Sequence, residues 1–181
     1  AEAAAAFQGA LPVQAGLDAA YRPGEPERQG ALLAMASLEQ ATARTRSGEA
    51  AAIVTGPIAK SLLATVGFAF PGQTEFVADA CGVAAQDAVM MLVGPSLKTV
   101  PLTVHVALAD VPGLLSSELI VRRARIVAAA MTHDFGVASP RLAICGLNPH
   151  AGESGRMGRE EIEIIAPAIS ALRAEGIDAT G

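Results

Sequence analysis

The feature that most narrows what this chain can fold into is the alternation of short apolar runs with longer segments of helical period. The periodicity predicts a helix from Pro26 to about Gly48, with Ala31, Met35, Leu38 and Ala41 on its apolar side. "AAIVT" (51–55) follows as a short buried strand. "PIAKSLLATVG" is then a helix opened by Pro57, with Ile58, Leu62 and Val66 on one face and Gly67 at its end. "AVMMLVG" (88–94) and "TVPLTVHVAL" (99–108) are strand candidates separated by Gly94 and Pro95. From Glu118 a helix places Ile120, Ala124, Val127 and Met131 inward. The strand "RLAICGL" comes next, then a loop, then a helix from about Gly158. In that helix Glu160 and Glu161 favour the N-terminal dipole, and Ile162, Ile165, Ile169 and Leu172 face the core. "IDAT" starts one more strand after Gly176. Strands alternating with helices imply an α/β fold with a largely parallel sheet.

Composition supports a buried core and excludes several function classes. Of 181 residues 51% are apolar and 17% charged, so disorder is not expected. With 3% aromatics and no Trp, the core is built from Ala, Val, Ile and Leu. No window reaches the roughly 18 uninterrupted apolar residues of a membrane span. The opening "AEAAAAFQGALPVQAG" lacks a basic start and a long apolar centre, so it is a poor leader, and the expected location is cytoplasmic. A net charge of −5 argues against a nucleic-acid partner. Arg122, Arg123 and Arg125 form one basic cluster, expected to be a solvated helix face. Cys81 and Cys145 have no metal-ligand spacing and are expected as buried free thiols.

In α/β sheets ligands gather outside the carboxyl ends of strands, which singles out three places. In "VTGPIAK" the strand-to-helix turn offers free N–H groups with Lys60 nearby, although on this motif alone an ordinary turn is the favoured account. In "FPGQTEF", Gln73, Thr74 and Glu75 form a polar trio suited to hydroxyl or carboxylate groups, or Thr74 simply caps a helix. The third is the pair His105 and His150. His105 ends an apolar run, and His150 lies in "LAICGLNPHAGESG", a glycine-loosened loop that opens where a buried strand stops. Spacing alone favours a hydrogen-bonded core histidine over a metal ligand, because a catalytic zinc-type site needs three protein ligands. His133, near a helix C-terminus, is placed where a cation is stabilised without any catalytic role.

Taken together, "VTGPIAK", "FPGQTEFVAD", "TVHVALADVP" and "GLNPHAGESGRMGREE" resemble the 4-hydroxythreonine-4-phosphate dehydrogenase family of vitamin B6 biosynthesis, in order and spacing. The resemblance implies three-layer α/β/α architecture in two domains. This chain would be the central portion, used in a homodimer whose active sites are shared between subunits. It implies NAD- or NADP-dependent oxidation of 4-hydroxythreonine 4-phosphate, followed by decarboxylation to 3-amino-2-oxopropyl phosphate, toward pyridoxal 5'-phosphate. It further implies a divalent metal (zinc, magnesium or cobalt) held by His105 and His150, with Gln73 and Thr74 contacting the phosphorylated hydroxy acid.

Two departures accompany the resemblance. The family usually carries histidine where this chain has Gln73, and an amide neither carries charge nor titrates near neutral pH. Related enzymes act on other phosphorylated hydroxy acids and on dihydrodiols, so a shifted substrate is the alternative, with a non-catalytic module that kept the fold beside it. The family's third metal histidine and much of its nucleotide site are expected beyond Gly181, so turnover by this chain alone is not expected.

Overall fold

A computed structural model describes residues 5–6, 8–10, 13, 16, 18–20 and 24–181. Much of the opening segment, where a leader was looked for, lies outside the described residues. The chain divides into two compact units, Ala1–Gln73 and Thr74–Gly181.

In the first unit, helix α1 (Arg28–Arg46) buries Ala31, Leu38 and Thr42, and the Thr42 hydroxyl returns a 2.8 Å bond to the Leu38 carbonyl. Helix α2 (Lys60–Thr65) packs against it and buries Leu63. Arg28 Nη1 ties the pair by donating to the Thr65 carbonyl at 2.8 Å. Two expectations are corrected here. Residues 51–55 form no ladder among the described residues, and Val54 is 97% exposed. The short helix starts at Lys60, past Pro57, and its most buried side chain is Leu63, with Ile58, Leu62 and Val66 half-buried.

The second unit begins within helix α3 (Gln73–Ala80). Strands β1 (Leu92–Val93) and β2 (Lys98–Thr99) pair antiparallel across a turn closed by Gly94 N–H to Leu97 carbonyl, 2.8 Å. These ladders are far shorter than the apolar runs 88–94 and 99–108 predict. Pro101 has no N–H to donate, and His105 takes a left-handed φ of 58°, which a strand does not tolerate. The short α4 (Val111–Leu114) then leads to helix α5 (Ser117–His133). Ser116 caps α5, its hydroxyl accepting from Leu119 N–H at 3.1 Å, with Glu118 in the first turn and His133 in the last.

Strand β3 (Arg141–Ala143) pairs in parallel with β4 (Asp178–Thr180), and Ile144 N–H to Thr180 carbonyl at 2.7 Å extends the ladder. Between them run a π-helical turn (Glu161–Ile165) and helix α6 (Ala166–Ala174). This is a β–α–β crossover, so the α/β class stands, while the largely parallel sheet is, among the described residues, one parallel and one antiparallel pair. The single helix expected from Gly158 is also divided. Pro167 cannot donate back to the preceding turn, and Ala166 N–H instead reaches the Glu161 carbonyl, five residues back. Ile165, Ile169 and Leu172 are buried as expected, but Ile162, ahead of the shift, is 45% exposed.

The core of this unit joins Ile120, Val121 and Ala124 of α5 to Ile165, Ala168, Ile169, Leu172 and Ala179. Ser117 Oγ donates to the Ile164 carbonyl at 2.7 Å, and Arg125 pairs with Glu175 through bonds of 2.6 and 2.7 Å, so the first turn and the middle of α5 are tied to the two flanks of α6. Among the described residues no helix is long and apolar enough to cross a membrane.

Leu172 is 0% exposed, and Leu172→Ala is expected to lower unfolding free energy by roughly 2–5 kcal/mol, read by urea denaturation. The Arg125 guanidinium holds the Glu175 carboxyl below its usual range, and Arg122 does the same to Asp87. Both groups sit lower in the folded than in the unfolded state. Their contribution is therefore present above the unfolded carboxylate value and is lost as pH falls through the folded one. The thermal midpoint should drop as the medium is acidified through that window, and Glu175→Gln should show a shallower drop.

Candidate functional site

The carboxyl end of β3 opens into a loop whose conformation is unusual. Five consecutive residues have positive φ: Ala151 48°, Gly152 68°, Glu153 46°, Ser154 57° and Gly155 90°. Three of them carry side chains, and left-handed backbone costs an L-residue about 1–2 kcal/mol. Such strain is held only where the surroundings impose it. Here Glu153 N–H bonds the His150 carbonyl at 3.1 Å, and Met157 N–H bonds the Gly152 carbonyl at 3.0 Å.

Asn148 organises the entry to this turn. Its side-chain oxygen accepts from His150 N–H at 2.8 Å, and its amide nitrogen donates to the Met157 carbonyl at 3.1 Å. Its own N–H donates to Glu161 Oε1 at 3.0 Å, from the first residue of the π-helical turn. That hydrogen bond, with others from nearby backbone, holds the Glu161 carboxyl below its ordinary value. His150 itself is exposed, with Nδ1 3.6 Å from Glu153 Oε1.

A separate cavity of about 50 Å³ lies in the same unit, lined among others by Thr74, Glu75, His105 and Arg123. Thr74 and His105, singled out independently in the sequence, thus line the same cavity; His150 is not part of that lining. Glu75 Oε2 and Arg123 Nε are buried there without a hydrogen-bond partner among the described residues. Arg123 spends one N–H on the Ala88 carbonyl. This corrects the expectation for the arginine cluster. Arg122 and Arg125 do lie on the solvated face, paired with Asp87 and Glu175, whereas Arg123 turns into the cavity.

In the first unit, Gln73 accepts from the Thr55 hydroxyl at 3.0 Å through its side-chain oxygen, which leaves its NH₂ free to donate. The bond ties "VTGPIAK" to "FPGQTEF". Lys60 is exposed at the start of a six-residue helix. Both cysteines are free and exposed, against expectation: Cys81 follows the last turn of α3, and Cys145 lies past the short β3. The residues that sequence reasoning missed are Asn148, Glu161 and Arg123. The signal for Glu161 was present in the glycines at 146 and 152, which anticipate close approach, but the dipole explanation of its charge concealed it.

For a metal, the donors are chemically suitable and too few. Two imidazoles on loop positions suit a divalent ion, yet among the described residues no three His, Cys, Asp or Glu side chains gather to hold one.

A polar loop leaving the carboxyl end of a parallel strand that crosses over through a helix is the arrangement of ligand-binding α/β proteins. Comparison with known proteins narrows that class. Residues 1–181 match the family described as pyridoxal phosphate biosynthetic protein PdxA, and the chain belongs to that family. It is 61% identical over 181 residues to a 4-hydroxythreonine-4-phosphate dehydrogenase of Erythrobacter litoralis, covering 100% of this chain and 54% of the relative. It is 51% identical over 181 residues to the enzyme of that name from Zymomonas mobilis, covering 99% and 54%. The chain thus spans about half the length of the curated relatives it matches. Among solved structures, a 4-hydroxythreonine-4-phosphate dehydrogenase from Klebsiella pneumoniae superposes with TM-score 0.80 at 38% identity, over 89% of this chain and 49% of that one. A terephthalate 1,2-cis-dihydrodiol dehydrogenase from Burkholderia xenovorans superposes with TM-score 0.62 at 32% identity, over 92% and 53%.

Gly152 tests the turn. A Cβ there would stand 2.8 Å from the Gly158 carbonyl oxygen and 2.9 Å from Glu161 Oε2, at a φ of +68°. Gly152→Ala is expected to cost about 1–3 kcal/mol, measured by urea unfolding, with faster amide exchange across 148–158.

Proposed function

We propose that this chain is part of an NAD- or NADP-dependent dehydrogenase that oxidises the secondary alcohol of 4-hydroxythreonine 4-phosphate, with decarboxylation to 3-amino-2-oxopropyl phosphate, on the route to pyridoxal 5'-phosphate. The observation that carries the reading is that the family match covers the whole chain and includes the motifs holding Thr74, His105 and His150. The domain assignment (the central portion of a two-domain α/β/α enzyme), the homodimer with shared sites and the cytoplasmic setting belong to the same proposal.

In this reading His105 and His150 would hold a divalent metal, zinc, magnesium or cobalt, through imidazole nitrogens, with the remaining protein ligand supplied from outside these residues. The metal would act as a Lewis acid at the substrate's alcohol, and the nicotinamide would take the hydride. The residues of this chain contribute position. Thr74 would offer a hydroxyl to the cavity it lines with His105, while Gln73, bonded through its oxygen to Thr55, would turn its NH₂ donors to substrate oxygens. Hydride leaves carbon as the alcohol proton is released, and loss of carbon dioxide from the resulting β-keto acid completes the conversion.

A second reading has its own support. Gln73 stands where the resemblance implies a histidine, and the solved likenesses include a dihydrodiol dehydrogenase. Both favour a paralogue that acts on another phosphorylated hydroxy acid or a dihydrodiol. A neutral amide at this position removes a titrating group from the substrate wall.

The reading is tested by calorimetric titration of zinc with and without 4-hydroxythreonine 4-phosphate. Substrate should strengthen metal binding, and His150→Ala should abolish that effect. Full metal affinity surviving His150→Ala overturns the ligand assignment, and a dihydrodiol replacing the phosphorylated acid as the synergistic ligand selects the second reading.

A further inference from the structure

We propose that Glu161 is the positioning residue for His150: its carboxylate holds the strained left-handed turn in place, acting through Asn148. The functional meaning rests on the reading of His150 as a metal ligand; the positioning itself rests on geometry.

The turn from Ala151 to Gly155 places three side-chain-bearing residues in left-handed backbone, so it needs a tether outside itself. Asn148 is the hub, bonded on one side to His150 N–H and on the other to the Met157 carbonyl, the two flanks of the turn. Nothing in those two bonds fixes Asn148 to the scaffold. Glu161 does, by accepting the Asn148 N–H, and a carboxylate acceptor makes that bond stronger than a neutral one.

The approach of this carboxylate is prepared on every side. A Cβ on Gly146 would lie 3.3 Å from Glu161 Oε1, and one on Gly152 would lie 2.9 Å from Oε2. Both glycines therefore clear space for the same group. The π-helical turn that begins at Glu161 arises where Pro167 removes a backbone donor, and it sets the carboxylate against the loop at the end of β3. The sequence spacing GLNPHAGESGRMGREE thus encodes a loop and its own clamp.

The experiment compares the unmodified protein with Glu161→Ala, Glu161→Gln and Ile165→Ala, the last a core truncation in the same turn. Two readouts are taken: amide hydrogen exchange at Asn148 and His150 without metal, and zinc affinity by calorimetry. Glu161→Ala should speed both amides and weaken zinc by about tenfold, the scale of one charge-assisted bond. Glu161→Gln keeps an oxygen acceptor for the Asn148 N–H and should restore both to within about threefold. Ile165→Ala should lower global stability and leave zinc affinity unchanged, which separates positioning from general loosening.

Unchanged exchange in Glu161→Ala overturns the proposal. So does faster exchange with unchanged zinc affinity where His150→Ala abolishes zinc binding, because the clamp would then not serve the ligand. If zinc affinity ignores His150→Ala as well, the metal reading falls, and the exchange data with the glutamine rescue decide the clamp alone.

Discussion

The second unit depends on the close approach of α5 to the β3–α6–β4 crossover. That approach is made possible by small residues. Ala124 on α5, Ala168 on α6 and Ala179 on β4 are all buried, Ala168 and Ala179 completely. They let Ile120 and Leu172, the largest fully buried side chains, fill the space between elements. A chain with 3% aromatics reaches native packing this way, through closeness and not through bulk. The polar ties at the margins, Ser117 to the Ile164 carbonyl and Arg125 to Glu175, fix where along its length α5 meets the crossover.

Fixing the crossover also fixes the loop. β3 is held by the parallel ladder to β4, whose Ala179 sits in the core and whose carbonyl accepts from Arg173 at 2.6 Å. The chain therefore leaves β3 at a defined place and returns through the turn that bears Glu161. The strained segment between is short and anchored at both ends, so left-handed backbone can persist there. This run of left-handed backbone sits at the carboxyl end of a parallel strand, the end at which α/β folds hold their ligands.

Sequence patterns revealed the elements whose burial follows their own period. α1, α5 and α6 place their apolar stripes inward as the 3.6-residue period demands, with Ala31, Ile120, Ala124, Ile169 and Leu172 all buried. That a parallel pair with an intervening helix occurs was legible from the alternation of strand and helix patterns. Three features were not legible, each for a physical reason. Apolar runs at 51–55, 88–94 and 99–108 announce β propensity but not a partner, and ladders depend on partners distant in sequence. The division at Ala166 depends on one missing N–H at Pro167. The exposure of Cys81 and Cys145 follows from where helix and strand stop, and element ends are the weakest part of any sequence pattern. Of the candidate site, the residue types were legible while their grouping was not: Thr74 and His105 share a cavity, Gln73 bonds Thr55, and His150 stands on its own turn.

The arginines of α5 show why grouping escapes a linear reading. Arg122, Arg123 and Arg125 are chemically identical and nearly adjacent, and as a string they look like one solvated face. Successive helical residues are about 100° apart, so positions 122 and 125 share a side while 123 is turned away. The first two meet carboxylates at the surface, where exposed ion pairs contribute little. The third lines a small cavity with a guanidinium N–H left without a partner among the described residues, and Glu75, which lines the same cavity, has a carboxylate oxygen in the same condition. Leaving such groups without partners inside a protein is costly, whereas at the surface water satisfies them. The chemical weight of a residue in this chain is thus set less by its type than by the angle at which a helix delivers it, and α5 delivers one arginine of three to the cavity that His105 also lines.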